Sequence, residues 1–166
     1  MARPPDHVNM IDPKAQPLLL ESIELLYFAY RAFTEQPDRL LAERGLGRVH
    51  HRILYFVARR PGLSVGSLIG TLRVSKQALN APLRQLQEMG LIAAVAGGHD
   101  RRVRQLMLTS EGARLERRLT ATQARRLSRV FESAGRPATA GWREVMRGLA
   151  GDHGDAGAPV DATPSG

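Results

Sequence analysis

Residues 74–112 read VSKQALNAPLRQLQEMGLIAAVAGGHDRRVRQLMLTSEG, and the order of patterns inside this stretch decides the fold. Ser75 is an N-cap residue, able to satisfy a free backbone N–H with its side-chain oxygen. From Lys76 to Met89 the apolar residues Leu79, Leu83 and Leu86 recur at helical spacing, and Gly90 supplies the left-handed residue that stops a helix. After Gly90 the period changes. Residues 91–96 (LIAAVA) and 103–108 (VRQLML) read as short strands, joined by Gly97-Gly98-His99-Asp100-Arg101-Arg102, a turn rich in glycine and charge. The stretch therefore predicts a capped helix followed by a β-hairpin with a basic tip.

Upstream, Ser64 caps a short helix, Val65 to Leu72, with Leu68, Ile69 and Leu72 inward, and Arg73-Val74-Ser75 is a three-residue break. Before it, Val49, Ile53, Phe56 and Val57 mark a helix from about Arg48 to Arg60, ended by Pro61-Gly62. Residues 18–36 form a first long helix with the stripe Leu19, Ile23, Leu26, Tyr30 and Phe33, broadened by Leu18, Leu25, Phe28 and Ala29. A helix this apolar is either deeply buried or at a subunit interface. Pro37 suits the N1 position and predicts a separate short helix from Asp38 to Arg44, with Gly45 and Gly47 bracketing a bend. Downstream, Thr109 caps a long helix from Ser110 to Ala134, which Gly135 and Pro137 end. Its apolar face is Leu115, Leu119, Leu127, Val130 and Phe131, and its cationic face Arg117, Arg118, Arg125 and Arg126. A last helix, 138–150, carries Trp142, Val145, Met146 and Leu149. Residues 1–17, with four prolines, read as a flexible arm, and residues 151–166 as a disordered tail. The expected fold is mainly α with a small β-hairpin wing.

The 166 residues suffice for one domain with short appendages. Lysine and arginine number 24, of which 22 are arginine, against 16 acidic residues, for a net charge of +8. Residues 44–109 hold 11 basic and 2 acidic residues, and residues 110–150 hold 9 and 4, while both ends are net acidic. A cationic middle is the footprint of a polyanion partner, and arginine suits phosphate because guanidinium binds it bidentately. On charge alone, a generic solvated basic surface is an equal reading. The absence of cysteine excludes disulfides, a thiolate zinc site, a thiol nucleophile and a cysteine redox switch. No run approaches the ~18 apolar residues of a membrane span, and the N-terminus lacks a secretory apolar region, so the expected location is cytoplasmic. No phosphate-binding glycine loop, nucleophile elbow or metal-spaced cluster is present. No enzyme activity, cofactor or metal is expected.

The helix that starts at Ser75 offers Ser75, Lys76, Gln77 and Asn80 at its N-terminal end, with Arg84 further along. Glutamine and asparagine pair bidentately with adenine, lysine reaches guanine or phosphate, and a helix fits the ~12 Å major groove. The hairpin tip carries Arg101 and Arg102, with Arg104 behind, and a narrow minor groove attracts such side chains. Each feature has a plainer reading as cap, solvated side chain or turn residue, Asp100 included.

Residues 46–112 resemble the winged helix-turn-helix of MarR-family transcriptional regulators. VSKQALNAPLRQLQEMGLI (74–92) is similar to the family's recognition helix and entry to its wing, and DRRVRQLMLTSEG (100–112) to its wing signature. Weaker similarity spans about 18–150, with the winged unit at 46–109 and dimerisation helices at 18–36 and 110–150. The resemblance implies a homodimeric regulator, a repressor rather than an activator, on a pseudo-palindromic double-stranded DNA operator. It places the helix from Ser75 in the major groove and Arg102 in the minor groove, with Asp100 orienting Arg102. It also implies release by a small aromatic ligand between the dimerisation helices and the winged unit. Tyr27, Tyr30, Phe33, His50, His51 and Tyr55 are the pocket candidates, although aromatics at helical spacing also read as core. His50 and His51 point about 100° apart and chelate one metal poorly. Pro82 departs from the family pattern and is expected to kink or loosen the recognition helix. Two other classes stay open: a winged-helix module for protein partners, and a nonspecific nucleoid-type binder.

Overall fold

Three hydroxyl caps punctuate the chain at the expected positions. In the computed structural model, which describes residues 14–96 and 104–151, Ser64 Oγ accepts the Ser67 N–H, Ser75 Oγ the Ala78 N–H, and Thr109 Oγ1 the Gly112 N–H, each at 3.1 Å. These caps start α3 (Val65–Leu72), α4 (Lys76–Glu88) and α5 (Ser110–Ala150). Before them lie α1 (Gln16–Ala42), α2 (Arg48–Arg59) and the two-residue strand β1 (Leu63–Ser64). Strands β2 (Ile92–Ala96) and β3 (Arg104–Leu108) follow α4.

The end of α4 satisfies its own last carbonyls. Gly90 takes φ +67°, its N–H donates to Gln87 O at 2.9 Å, and the Leu91 N–H donates to Leu86 O at 2.9 Å. This is the paired-bond arrangement that a left-handed glycine permits. It turns the chain straight into β2, which pairs antiparallel with β3 from Ile92↔Leu108 to Ala96↔Arg104.

Three features differ from expectation. Pro37 does not begin a new helix; α1 runs through it without interruption. Its ring is fully buried, so packing offsets the missing hydrogen bond. The sheet also has a third strand, in the order β1-β3-β2, with Leu63↔Leu106 and Ser64↔Gln105 in register. Two residues are too short for period-two patterning to show. Pro82 likewise leaves α4 continuous. The carbonyl it strips of a partner belongs to Ala78, an exposed residue. The expected break at Gly135 is present: φ 83° and ψ 170° interrupt α5 there, and Trp142 folds back to a ring-centroid distance of 5.2 Å from Phe131.

The core lies within the middle of the chain. Leu41, Ile53, Leu54, Leu68, Leu79, Leu86, Leu106 and Leu119 are fully buried, drawn from α1 through α5. Only Thr34, Pro37 and Leu41 of α1 are buried, and α5 buries nothing after Thr122. The first half of α1 and the last part of α5 therefore keep their apolar stripes exposed: Ile23 is 64% and Leu149 66% accessible. Of the two readings of the first helix, burial within this chain does not hold.

Candidate nucleic-acid interface

Helix α4 has two unlike faces. Leu79, Leu83 and Leu86 are buried, which anchors the helix on the core. Lys76, Gln77, Asn80, Ala81 and Arg84 are exposed, at spacings that align them along the outer face. Ser75 precedes them with its hydroxyl committed to the cap, so it holds the first turn in place. Thirteen residues at 1.5 Å rise make α4 roughly 20 Å long. Arg84 lies 3.7 Å from Glu88 with both side chains exposed, a loose contact that leaves the guanidinium available to another anion.

The neighbouring helix is tied in by side chains. Arg60 donates to Thr71 Oγ1 at 3.3 Å, joining the end of α2 to α3. Arg73 adopts φ 50°, ψ 45°, the left-handed residue in the turn between α3 and α4. On the other side, Thr109 donates to Gly90 O at 2.6 Å, and its N–H donates to Leu91 O at 3.1 Å. The base of the hairpin is thus fastened to both α4 and α5. Arg104 is exposed at the outermost described pair of the hairpin. Asp100, Arg101 and Arg102 lie outside the described residues.

The aromatic candidates separate. Tyr30, His51 and Tyr55 line one cleft of about 340 Å³, together with Phe33, Phe56, Arg48 and Arg52. Tyr27 and His50 are not among the residues that line it. Tyr27 is on the exposed part of α1, edge-on to Phe28. His50 is buried and turns toward α4 instead: its Nδ1 accepts the Gly47 N–H at 3.0 Å and its Nε2 lies 3.0 Å from Gln85 Oε1 of α4.

The cleft joins aromatic walls to cationic groups. Arg48 pairs with Asp38 at 2.7 Å, and its guanidinium stands 5.3 Å from the Tyr30 ring centroid. The bond to Asp38 raises the Arg48 pKa further, so its charge is permanent. Arg52 reaches the Tyr30 hydroxyl at 3.5 Å. Burial pushes the His51 imidazole below its ordinary pKa, with Glu116 and Asp38 opposing the shift. His51 Nε2 is buried without a partner among the described residues. Arg48 and Gln85 were outside the expected set. Their partners are 10 and 35 residues away in sequence, at distances no local motif reports.

Comparison with known proteins bears on this arrangement. The model of the MarR family matches residues 44–103. The HTH-type transcriptional regulator PetP of Rhodobacter capsulatus is 45% identical over 131 residues, 79% of this chain and 79% of that protein. The HTH-type transcriptional repressor Rv2887 of Mycobacterium tuberculosis is 29% identical over 126 residues, 67% of this chain and 91% of its own. The crystal structure of Rv2887 in complex with p-aminosalicylic acid is similar at a TM-score of 0.55 and 25% identity, across 77% of this chain and 97% of that one. The structure of the MarR family transcription regulator SP03579 reaches a TM-score of 0.70 at 19% identity, across 82% of this chain and 91% of its own, a likeness of fold.

Proposed function

Since the chain belongs to the MarR family of winged-helix transcriptional regulators, we propose that it is a homodimeric repressor that binds a pseudo-palindromic DNA operator and leaves it when a small aromatic ligand binds. The observation that carries this reading is the two-faced α4. Its leucines fasten it to the core, while Lys76, Gln77, Asn80 and Arg84 project outward from one capped helix. Those side-chain types supply both base-edge and phosphate contacts. Arg104 sits at the outermost described pair of the wing, away from its base. Arg101 and Arg102 extend the contact to the minor groove, with Asp100 orienting Arg102, as the resemblance implies.

The exposed stripes of α1 and α5 support the dimer. Ile23, Leu26, Val145 and Leu149 remain accessible in the single chain, and large apolar side chains left exposed in such number mark an interface. Two copies would present two α4 helices about one duplex turn apart. The cleft at Tyr30, His51 and Tyr55 supports the ligand. Aromatic walls with Arg48 and Arg52 suit an aromatic acid, and Rv2887 was solved with one such molecule. Repression follows the name given to Rv2887. Its site of action would be the cytoplasm, where such an operator lies.

Selection from fragmented genomic DNA tests the reading. Purified protein should retain a few fragments that share an inverted repeat. Uniform retention would indicate a nonspecific binder, and none at low salt would remove DNA from the account.

A further inference from the structure

His50 is the third residue of α2, and although it is buried both ring nitrogens are engaged. Nδ1 accepts the Gly47 N–H, so the ring proton is on Nε2, which donates to Gln85 Oε1. The Gln85 amide nitrogen donates in turn to Gly45 O at 3.2 Å. One side chain of α4 is therefore held from two directions: by the first turn of α2, and by the turn that joins α1 to α2.

The other inward groups of α4 are Leu79, Leu83 and Leu86. Apolar packing holds a helix down, but it is non-directional and resists rotation about the helix axis weakly. Hydrogen bonds have preferred angles. Gln85 directly follows Arg84 and lies on the flank of α4, between its buried and exposed faces. A rotation of α4 that moved Asn80 or Arg84 away from a base edge would break the bonds at Gln85.

We infer that the Gly47–His50–Gln85–Gly45 clasp sets the rotational position of α4, which makes His50 and Gln85 positioning residues for operator discrimination although neither touches DNA. The inference rests on the reading of α4 as the helix that contacts bases. It also assigns His50 to the reading head rather than to the aromatic cleft.

Two single variants and their combination test it. Gln85→Leu keeps the bulk and loses both bonds. His50→Glu keeps an acceptor for the Gly47 N–H at a position where glutamate performs that task, but cannot donate to Gln85. Affinity is measured for a duplex that the wild-type protein selects and for a scrambled duplex of equal length. Each folded single variant should lower the selected-to-scrambled ratio on the order of tenfold, with scrambled-duplex affinity unchanged. The double variant should lose no more than either single, because both break one unit. An unchanged ratio, an equal loss on both duplexes or additive losses would overturn the inference. Nitrogen NMR of the wild-type protein is a check independent of DNA: Nε2 should carry the His50 proton, and the opposite tautomer would refute the clasp. A wild-type protein that does not discriminate the two duplexes would instead overturn the DNA-binding reading itself.

Discussion

Gly112 lies flat against the carbonyl of Leu91, so close that a β-carbon at residue 112 would overlap the carbonyl oxygen. The same oxygen accepts the Thr109 N–H at 3.1 Å. The first turn of α5 is thereby pressed onto the point where α4 gives way to the wing. Both partners are backbone, so neither moves without displacing a whole element.

Gly112→Ala is accordingly expected to destabilise the fold by about 1–3 kcal/mol, the usual cost of overpacking a fitted site. Gly70→Ala serves as the control. Gly70 is also helical, but a β-carbon there meets open space, and it should gain about 0.5–1 kcal/mol from the lost freedom of the unfolded chain. Urea midpoints for the two variants should move in opposite directions. Similar shifts for both would remove the special standing of the Gly112–Leu91 contact.

The half-buried His51 makes stability depend on pH. Desolvation holds its folded pKa below the ordinary 6.5. In the window between 6.5 and that lowered value, the unfolded chain binds a proton that the folded chain does not. Stability therefore falls as pH drops through the window and is unaffected by this group above it. Chemical denaturation at pH 7.5 and 5.5 should show the loss, and His51→Gln should reduce it. An equal loss in the variant would assign the pH dependence to other groups.

Much of this was legible from local sequence. Ser64, Ser75 and Thr109 cap helices because a hydroxyl before an apolar-periodic run has that use, and Gly90 ends α4 because the turn needs a positive φ. The strands were visible from the change of period after Gly90. Pro37 reads locally as a helix start, whereas the burial that offsets its lost bond depends on residues distant in sequence. β1 leaves no local signal because two residues show no alternation, and only β3 makes them a strand. The exposed face of α4 could be read from its leucines. The partition of Tyr27, Tyr30, His50, His51 and Tyr55 could not, since neighbours on one helix point to different sides of the molecule.

The α4 face predicts two kinds of mutational effect. Gln77→Ala or Asn80→Ala should cost about 1–3 kcal/mol on the selected duplex and little on a scrambled one, as expected for lost base contacts. Lys76→Ala should weaken both duplexes alike and lower the salt slope of log K by about 0.9 per phosphate contact removed. Binding titrations at several salt concentrations separate the two. If Asn80→Ala weakened both duplexes equally, Asn80 would be a backbone contact instead.

The exposed stripes of α1 and α5 predict a mass in solution of twice 18.2 kDa. Ile23→Glu with Val145→Glu should return it to that of one chain, because charge at a buried interface is costly. The core from Leu41 to Leu119 lies away from both residues, so helix content should persist. Light scattering and circular dichroism report the two outcomes. A wild-type mass of one chain would refute the two-half-site reading.

The most direct test of the account is a binding titration of the wild-type protein. The selected duplex is compared with a scrambled duplex of the same length and composition at one salt concentration near physiological. The account predicts a preference of about 10³-fold or more for the selected duplex, as specific regulators show. Equal affinity for the two would mean that Gln77, Asn80 and Arg84 read no bases, and would contradict the central claim.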